Sequence, residues 1–144
     1  MFKHILIATD GSKLAEKVAH HAFELARQLN AKVTAVTVTE PWIEPLGPMT
    51  LPSWARVYEQ ATAENAAFVL ALMRSMAERK QIACATVHVP DQHPAEGIVE
   101  TAKARACDVI VMGSHGRRGV AGLLLGSVAA RVVALSTIPV LICR

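Results

Sequence analysis

The residues best suited to chemistry lie in a glycine-rich stretch from Gly113 to Val128. Glycine recurs at every third position and a Gly-Ser pair follows, at Gly113, Gly116, Gly119, Gly122 and Gly126-Ser127. The stretch follows an apolar run that is typical of a buried strand, and it precedes a helical pattern. A glycine-rich loop between a strand and a helix start exposes backbone N–H groups to an anion. The sequence therefore predicts a phosphate-binding loop.

The spacing of these glycines excludes three well-known loops. A Walker A loop needs a Gly-Lys pair, which the sequence lacks. The Rossmann fingerprint follows the first strand of its fold, whereas this stretch follows the fourth predicted strand. A nucleophile elbow needs glycine two residues before the serine, and Met112 holds that position before Ser114. The remaining pattern is Gly-x2-Gly-x9-Gly-Ser.

Each part of this pattern has a physical use in holding an anion. Gly113 and Gly116 allow the backbone to approach a bulky group because they have no Cβ. Gly126-Ser127 would lie at a helix N-terminus, where free N–H groups, a hydroxyl and the positive end of the helix dipole favour phosphate. Arg117 and Arg118 add positive charge nearby, although either side chain could simply be solvated.

Other polar residues give weaker signals. Asp10 ends the first predicted strand, where it would either contact a ligand or cap the following helix. His115 has no residue near it in sequence to orient it as a base, so we expect it to be exposed to solvent. His4 is expected to point away from the first strand, and the histidine spacings do not form a compact metal site.

Strands and helices alternate along the chain and must position these residues. The first helix carries an apolar stripe, and the second predicts a stripe through Val57, Ala61, Phe68, Leu72 and Met76. Prolines exclude regular structure from Glu40–Trp54, an apolar segment that acts either as a lid or interface or as packing over the sheet end. The predicted strands are Phe2–Thr9, Ala31–Thr39, Ile82–Val89, Val109–Met112 and Pro139–Cys143, and the predicted helices are Lys13–Leu29, Arg56–Lys80, His93–Arg105 and Val128–Leu135.

This alternation predicts an α/β fold with a doubly wound parallel sheet of five strands, covered by helices on both faces, as one domain over residues 1–144. Ligands of such folds bind at the carboxyl ends of strands, at the point where the strand order reverses. If the first and fourth strands are neighbours, as in the order 3-2-1-4-5, Asp10-Gly11-Ser12 and the glycine-rich stretch meet in one crevice.

Composition excludes several other classes of function. A net charge of +3 without a block of lysine or arginine, together with 4% aromatic residues, argues against nucleic-acid binding. No apolar run approaches the roughly 18 residues that a membrane-spanning helix needs. The N-terminus does not resemble a signal peptide, so we expect a cytoplasmic protein. The three cysteines have no paired spacing and are expected to be reduced packing residues.

The chain resembles a universal stress protein of the UspA type. The glycine pattern matches the ATP-binding signature of that family's nucleotide-binding branch. The resemblance extends along the chain through three blocks in the same order, at Ile5–Ser12, Val111–Gly116 and Pro139–Ile142.

This resemblance implies a set of nucleotide contacts, with the strand order 3-2-1-4-5. Asp10 would lie near the ribose or a phosphate-bound Mg²⁺, and Val38 would offer backbone hydrogen bonds to adenine. Ala8 and Thr9 would line the base pocket, and Met112 and Arg117 complete the predicted contacts. The residues implied to contact phosphates and ribose are Gly113, Gly116, Gly126, Ser127 and Val128.

The resemblance also implies a stress-response or signalling module that binds ATP, ADP or AMP with Mg²⁺ and dimerises through its last strand, residues 139–143. We expect little or no hydrolysis because the glycine-rich stretch contains no Asp, Glu or Lys. Two alternatives remain open. One is a nucleotide-independent dimeric interaction protein, and the other is a slow ATPase or adenylyl-transfer enzyme.

Overall fold

A computed structural model describes residues 1–47, 53–116 and 124–144. In these ranges strands and helices alternate as the sequence predicts. The strands are β1 (His4–Ala8), β2 (Lys32–Val38), β3 (Cys84–Val89), β4 (Val109–Gly113) and β5 (Val140–Cys143). The helices are α1 (Lys13–Leu29), α2 (Ser53–Arg79), α3 (Pro94–Ala104) and α4 (Ser127–Leu135).

The strands form one parallel sheet in the order β3-β2-β1-β4-β5, which confirms the predicted topology. On one side of β1, Ala8 pairs with Val36 of β2, and on the other side Ile7 pairs with Val111 of β4. The chain therefore reverses its strand order between β1 and β4. Their carboxyl ends lie side by side, where a crevice is expected in folds of this kind.

Each face of the sheet is covered by two helices. Ile5 and Ile7 of β1 pack with Phe23 of α1 and Met73 of α2 on one face. Leu6 and Ala8 pack on the other face with α3 and α4. Because β1 is the central strand and is buried on both faces, its sequence, His-Ile-Leu-Ile-Ala, is almost continuously apolar.

His4 illustrates the same double burial and corrects one expectation. The side chain does not point to solvent but is only 8% exposed, and its Nε2 lies 2.7 Å from the hydroxyl of Thr34. A central strand covered on both faces has no outward side for it. Burial, followed by the charge of Lys32, lowers the pKa of His4.

Helix α2 differs from its prediction in where it begins. It starts at Ser53, so Ser53 and Trp54 belong to the helix and not to the preceding proline-rich segment. The last proline of the segment, Pro52, precedes this start directly in the sequence. Proline breaks a helix when it lies in the interior. At the start of a helix it is tolerated, because the N–H group that it lacks would have no partner there.

The predicted apolar stripe of α2 is wrong for most of its residues. Val57, Phe68 and Leu72 are exposed, and no residue between Ser53 and Asn65 is buried. Only the second half of the helix packs on the sheet, and small residues contribute to its buried face. The buried residues are Ala66, Val69, Leu70, Met73, Met76 and Ala77.

The three cysteines are free, as expected. Cys107 packs on the α3 and α4 face, whereas Cys84 and Cys143 pack against the opposite core from strands at opposite edges of the sheet. Burial raises the pKa of the Cys107 thiol to about 11, which keeps it protonated and unreactive at neutral pH. None of the helices in the described ranges has the length and apolar character needed to cross a membrane.

Candidate functional site

A cleft of about 550 Å³ lies at the carboxyl ends of β1, β2 and β4. It brings together almost all of the predicted contact residues. Those that line it are Ala8, Thr9, Asp10, Val38, Met112, Gly113, Gly116, Gly126, Ser127 and Val128. Arg117 lies outside the described residues, as do Arg118, Gly119 and Gly122. The parallel sheet gathers these residues because its neighbouring strands all end at the same edge.

Two of the glycines lie where a side chain would crowd a neighbouring residue of the cleft wall. A Cβ at Gly116 would lie 2.5 Å from Oδ2 of Asp10. A Cβ at Gly126 would lie 3.0 Å from the carbonyl oxygen of Ser114 and 3.3 Å from the Cα of His115. Both gaps are shorter than ordinary contact between non-bonded atoms. Glycine at these positions allows the end of β4, the start of α4 and Asp10 to lie close together without crowding.

The start of α4 has the expected form but not every expected donor. Gly126 is the N-cap and has no side chain to accept from the first turn, which contains no acidic residue. Its own N–H donates to the carbonyl of Ser114 at 2.6 Å, so the expectation that it is free is wrong. The first backbone bond inside the helix runs from the N–H of Ala130 to the carbonyl of Gly126. The amides of Ser127, Val128 and Ala129 are therefore the donors without an intrahelical acceptor, and all three residues line the cleft.

Asp10 does not cap α1. Ser12 is the N-cap, and its hydroxyl accepts from the N–H of Ala15 at 3.1 Å. Asp10 instead accepts from the N–H of Ser12 through Oδ1 at 3.0 Å, which orients its carboxylate at the cleft wall. Of the two roles considered for Asp10, capping of α1 is wrong, and contact with a ligand stays a prediction.

Val38 directs its backbone groups into the cleft. The odd-numbered residues of β2 bond to β3, as the Thr39 N–H does to the carbonyl of Val89 at 2.8 Å. The even-numbered residues bond to β1, and the last such bond joins the Thr9 N–H to the carbonyl of Val36 at 3.0 Å. Val38 is the next even-numbered residue, so its N–H and carbonyl face the space beyond the end of β1. That space is the cleft.

The first turns of α2 form a wall of the cleft that the sequence analysis missed. Tyr58, Thr62 and Asn65 line it from this helix. The Tyr58 hydroxyl donates to the carbonyl of Glu40 at 2.7 Å, and its ring lies 5.2 Å from that of Trp42. The only available signal was the apolar segment Glu40–Trp54, which was predicted to act as a lid or interface or to pack over the sheet end. The contacts of this segment with Tyr58 form because the first turns of α2 project beyond the end of the sheet, and no local pattern predicts that.

The described part of the cleft has few groups that could catalyse a reaction. Its acidic side chains are Asp10 and Glu40, and no lysine lines it. His115 is half-buried and not fully exposed as expected, with its Nδ1 3.3 Å from the Ser114 hydroxyl. In the ranges that the structure describes, no three His, Cys, Asp or Glu side chains could hold a metal together. A Mg²⁺ at Asp10 would need phosphate and water oxygens for its remaining ligands.

Comparisons with known proteins agree with each other over the whole chain. The model of the universal stress protein family matches residues 1–144. A universal stress protein of Methanocaldococcus jannaschii is 34% identical over 100% of this chain and 83% of its own length.

Two solved structures extend the comparison to the fold. The universal stress protein UspA from Lactobacillus plantarum superimposes with a TM-score of 0.83 at 22% identity, over 99% of this chain and 98% of its own. A universal stress protein in complex with cAMP superimposes with a TM-score of 0.73 at 26% identity, over 99% and 97%.

Proposed function

Because the chain belongs to the universal stress protein family, we propose that it binds an adenine nucleotide in the cleft and acts as a nucleotide-dependent binding or signalling protein. ATP, ADP and AMP share the adenosine and the first phosphate that the cleft would recognise. The proposal assigns the phosphates to the start of α4 and the base to the end of β2.

The start of α4 is the observation that carries this proposal. Three backbone amides without intrahelical acceptors, the Ser127 hydroxyl and the positive end of a helix dipole face one cleft. Gly113 and Gly116 line the same cleft from the end of β4. These groups bind negative charge through the backbone, so they favour a phosphate over a neutral ligand.

The other end of the cleft suits a flat apolar ring with polar edges. Ala8, Val36 and Ile98 supply apolar surface, and the Val38 backbone supplies a donor and an acceptor side by side. The edge of adenine offers an amino donor for the Val38 carbonyl and a ring-nitrogen acceptor for the Val38 N–H. The 26% identical neighbour that was solved with cAMP supports this assignment, since its ligand contains adenine and a phosphate.

We expect the bound nucleotide to be retained without rapid hydrolysis. The described cleft holds no lysine to neutralise a terminal phosphate, and Asp10 is its one carboxylate near the glycines. In this proposal Asp10 helps to hold a Mg²⁺ that accompanies ATP, with phosphate and water oxygens completing its shell. The metal would neutralise phosphate charge, and the protein would contribute binding more than bond cleavage.

The proposal includes a homodimer through β5. This strand is an edge of the sheet, and its Leu141 side chain is 45% exposed. An apolar edge strand tends to pair with another chain unless something covers it. A second copy of the same edge would satisfy its backbone groups.

A charge placed at the start of α4 tests the phosphate assignment. Wild type, Ser127→Asp and the neutral control Ser127→Asn would be melted with and without AMP, in the absence of divalent metal. Ligand at a hundred times its dissociation constant stabilises a protein by about 2.7 kcal/mol. This stabilisation should raise the melting temperature of the wild type and of the Asn variant when AMP is present. Ser127→Asp should lose it, because its carboxylate repels the phosphate.

The apo protein provides an internal control in the same experiment. An acidic residue in the first turn stabilises a helix, so Ser127→Asp should melt no lower than wild type without ligand. If the melting temperature of the wild type does not rise with AMP or with ATP and Mg²⁺, the protein is a nucleotide-independent module. Equal shifts in all three proteins would place the phosphate elsewhere. ATP consumption above a protein-free blank would show an enzyme.

A further inference from the structure

We propose that Gly97 of α3 is a positioning residue for base recognition: it lets the end of β2 sit against α3, and this contact sets the adenine selectivity of the cleft. The inference rests on the proposed nucleotide binding. Gly97 does not line the cleft, but its neighbours Pro94 and Ile98 do.

Gly97 is an unusual choice for its position. It is the fourth residue of α3 and is buried, and its N–H already makes a helical bond to the carbonyl of His93 at 2.9 Å. Glycine is among the least favourable residues for a helix, and no positive φ requires it here. A close neighbour explains it.

That neighbour is the side chain of Val38. A Cβ at Gly97 would lie 2.8 Å from Cγ2 and 2.9 Å from Cγ1 of Val38. Carbon atoms in contact normally lie about 3.5–4.0 Å apart, so the two elements would have to separate by about 0.7 Å or more. A rotamer change at Val38 would not relieve the contact, because both methyl groups face Gly97 and one would remain in the way.

The end of β2 is held firmly on its other side. The Thr39 N–H donates to the carbonyl of Val89, and the Gln92 N–H donates to the carbonyl of Thr39 at 3.1 Å. The Thr39 hydroxyl lies 2.7 Å from Nε2 of His88. The ends of β2 and β3 therefore move as a unit if α3 pushes against Val38.

Such a movement would act on the base and not on the phosphates. The Val38 N–H and carbonyl are the groups assigned to the adenine edge, and N–H···O bonds keep their strength only between about 2.7 and 3.2 Å. A shift of about 0.7 Å takes a bond out of that range. The three atoms nearest to a Cβ at Gly97 belong to Val38 and Gln92, and none of them belongs to the start of α4 or the end of β4, which are assigned to the phosphates.

AMP and IMP carry the same phosphate and ribose and differ only in the base, so the ratio of their affinities reports on base recognition alone. AMP offers an amino donor and a ring-nitrogen acceptor at the edge in question, whereas IMP offers an oxygen acceptor and an N–H donor. Backbone groups that read this edge must prefer AMP. Ribose 5-phosphate lacks the base and reports on the phosphate end alone.

The experiment measures the affinities of these three ligands by calorimetry in wild type, Gly97→Ala and the double variant Gly97→Ala with Val38→Ala. One lost hydrogen bond corresponds to a fall in the AMP:IMP affinity ratio of about three- to tenfold in Gly97→Ala. Its affinity for ribose 5-phosphate should stay within twofold of wild type. The double variant removes both methyl groups while keeping the Val38 backbone, so it should restore the ratio.

Several results would overturn the inference. They are an unchanged ratio in Gly97→Ala, an equal loss for all three ligands, a double variant without rescue, and a wild type that binds AMP and IMP equally. A wild type that binds neither AMP nor ribose 5-phosphate would instead refute the proposed function, and this inference with it. If Gly97→Ala does not fold, Val38→Ile adds one methylene to the same contact and should lower the ratio in the same direction.

Discussion

Two phenylalanines of this chain should lose very different amounts of stability on the same substitution to alanine. Phe23 of α1 is fully buried in the core beneath α1 and α2, whereas Phe68 of α2 is 64% exposed. Both lie in helices, and the sequence pattern placed Phe68 on an apolar stripe. Phe23→Ala and Phe68→Ala therefore form a matched pair that tests which face of α2 packs on the sheet.

The expected losses follow from burial. Truncating a fully buried phenylalanine removes its transfer free energy and leaves a cavity, which together cost about 3–5 kcal/mol. Substitutions on the surface usually change stability by no more than about 0.5 kcal/mol. For a domain of this size each kcal/mol lowers the melting temperature by about 2–4 °C. Phe23→Ala should therefore melt roughly 6–20 °C below wild type, and Phe68→Ala within about 2 °C of it.

Thermal unfolding followed by far-UV circular dichroism measures both variants, and urea unfolding gives the free energies independently. The reasoning would be refuted if Phe68→Ala lost as much stability as Phe23→Ala, because α2 would then pack through the face assigned to solvent. A loss below about 1 kcal/mol for Phe23→Ala would refute the assignment of the α1 core.

Three further predictions concern other parts of the fold. Burial lowers the pKa of His4 below 6.5, so the unfolded chain binds more protons and the free energy of unfolding should fall as pH drops below about 6.5. Urea unfolding at pH 7.5 and 5.5 measures this fall, which should be smaller in His4→Gln than in wild type. The pKa of His88 is lowered as well, so His88 should account for part of the fall that remains. Ser12→Ala removes the α1 cap and should cost about 0.5–2 kcal/mol in thermal unfolding; an unchanged melting temperature would argue against the cap. Leu141→Glu should convert the proposed dimer to a monomer in analytical ultracentrifugation, whereas Phe68→Glu should not; a dimer that survives Leu141→Glu would place the interface elsewhere.

Much of the fold could be predicted from local patterns. The alternation of strands with helices indicated a parallel sheet, and the almost continuously apolar sequence of β1 is typical of a strand buried on both faces. Gly113, Gly116 and Gly126-Ser127 were identified from spacing alone, because close backbone approach and a helix start both have direct sequence signals. The resemblance to universal stress proteins added the strand order, which the structure confirms.

The errors arose where a residue's partner is distant in sequence. Periodicity identified an apolar face of α2, but the face with Phe68 is exposed because only the second half of the helix reaches the sheet. His4 is buried because α3 and α4 cover the second face of β1. The amide of Gly126 is occupied because the end of β4 brings the Ser114 carbonyl within 2.6 Å.

The sequence by itself determined the order of the elements and identified the glycines Gly113, Gly116 and Gly126, which line the cleft. Both follow from periodicities of two and 3.6 residues and from the conformational freedom of glycine, which act over a few neighbouring residues. Only the tertiary structure decided that Tyr58 forms a wall of the cleft and that Gly97 faces Val38. Such contacts join residues tens of positions apart. Their distances depend on how the helices pack on the sheet, and no local pattern encodes that packing.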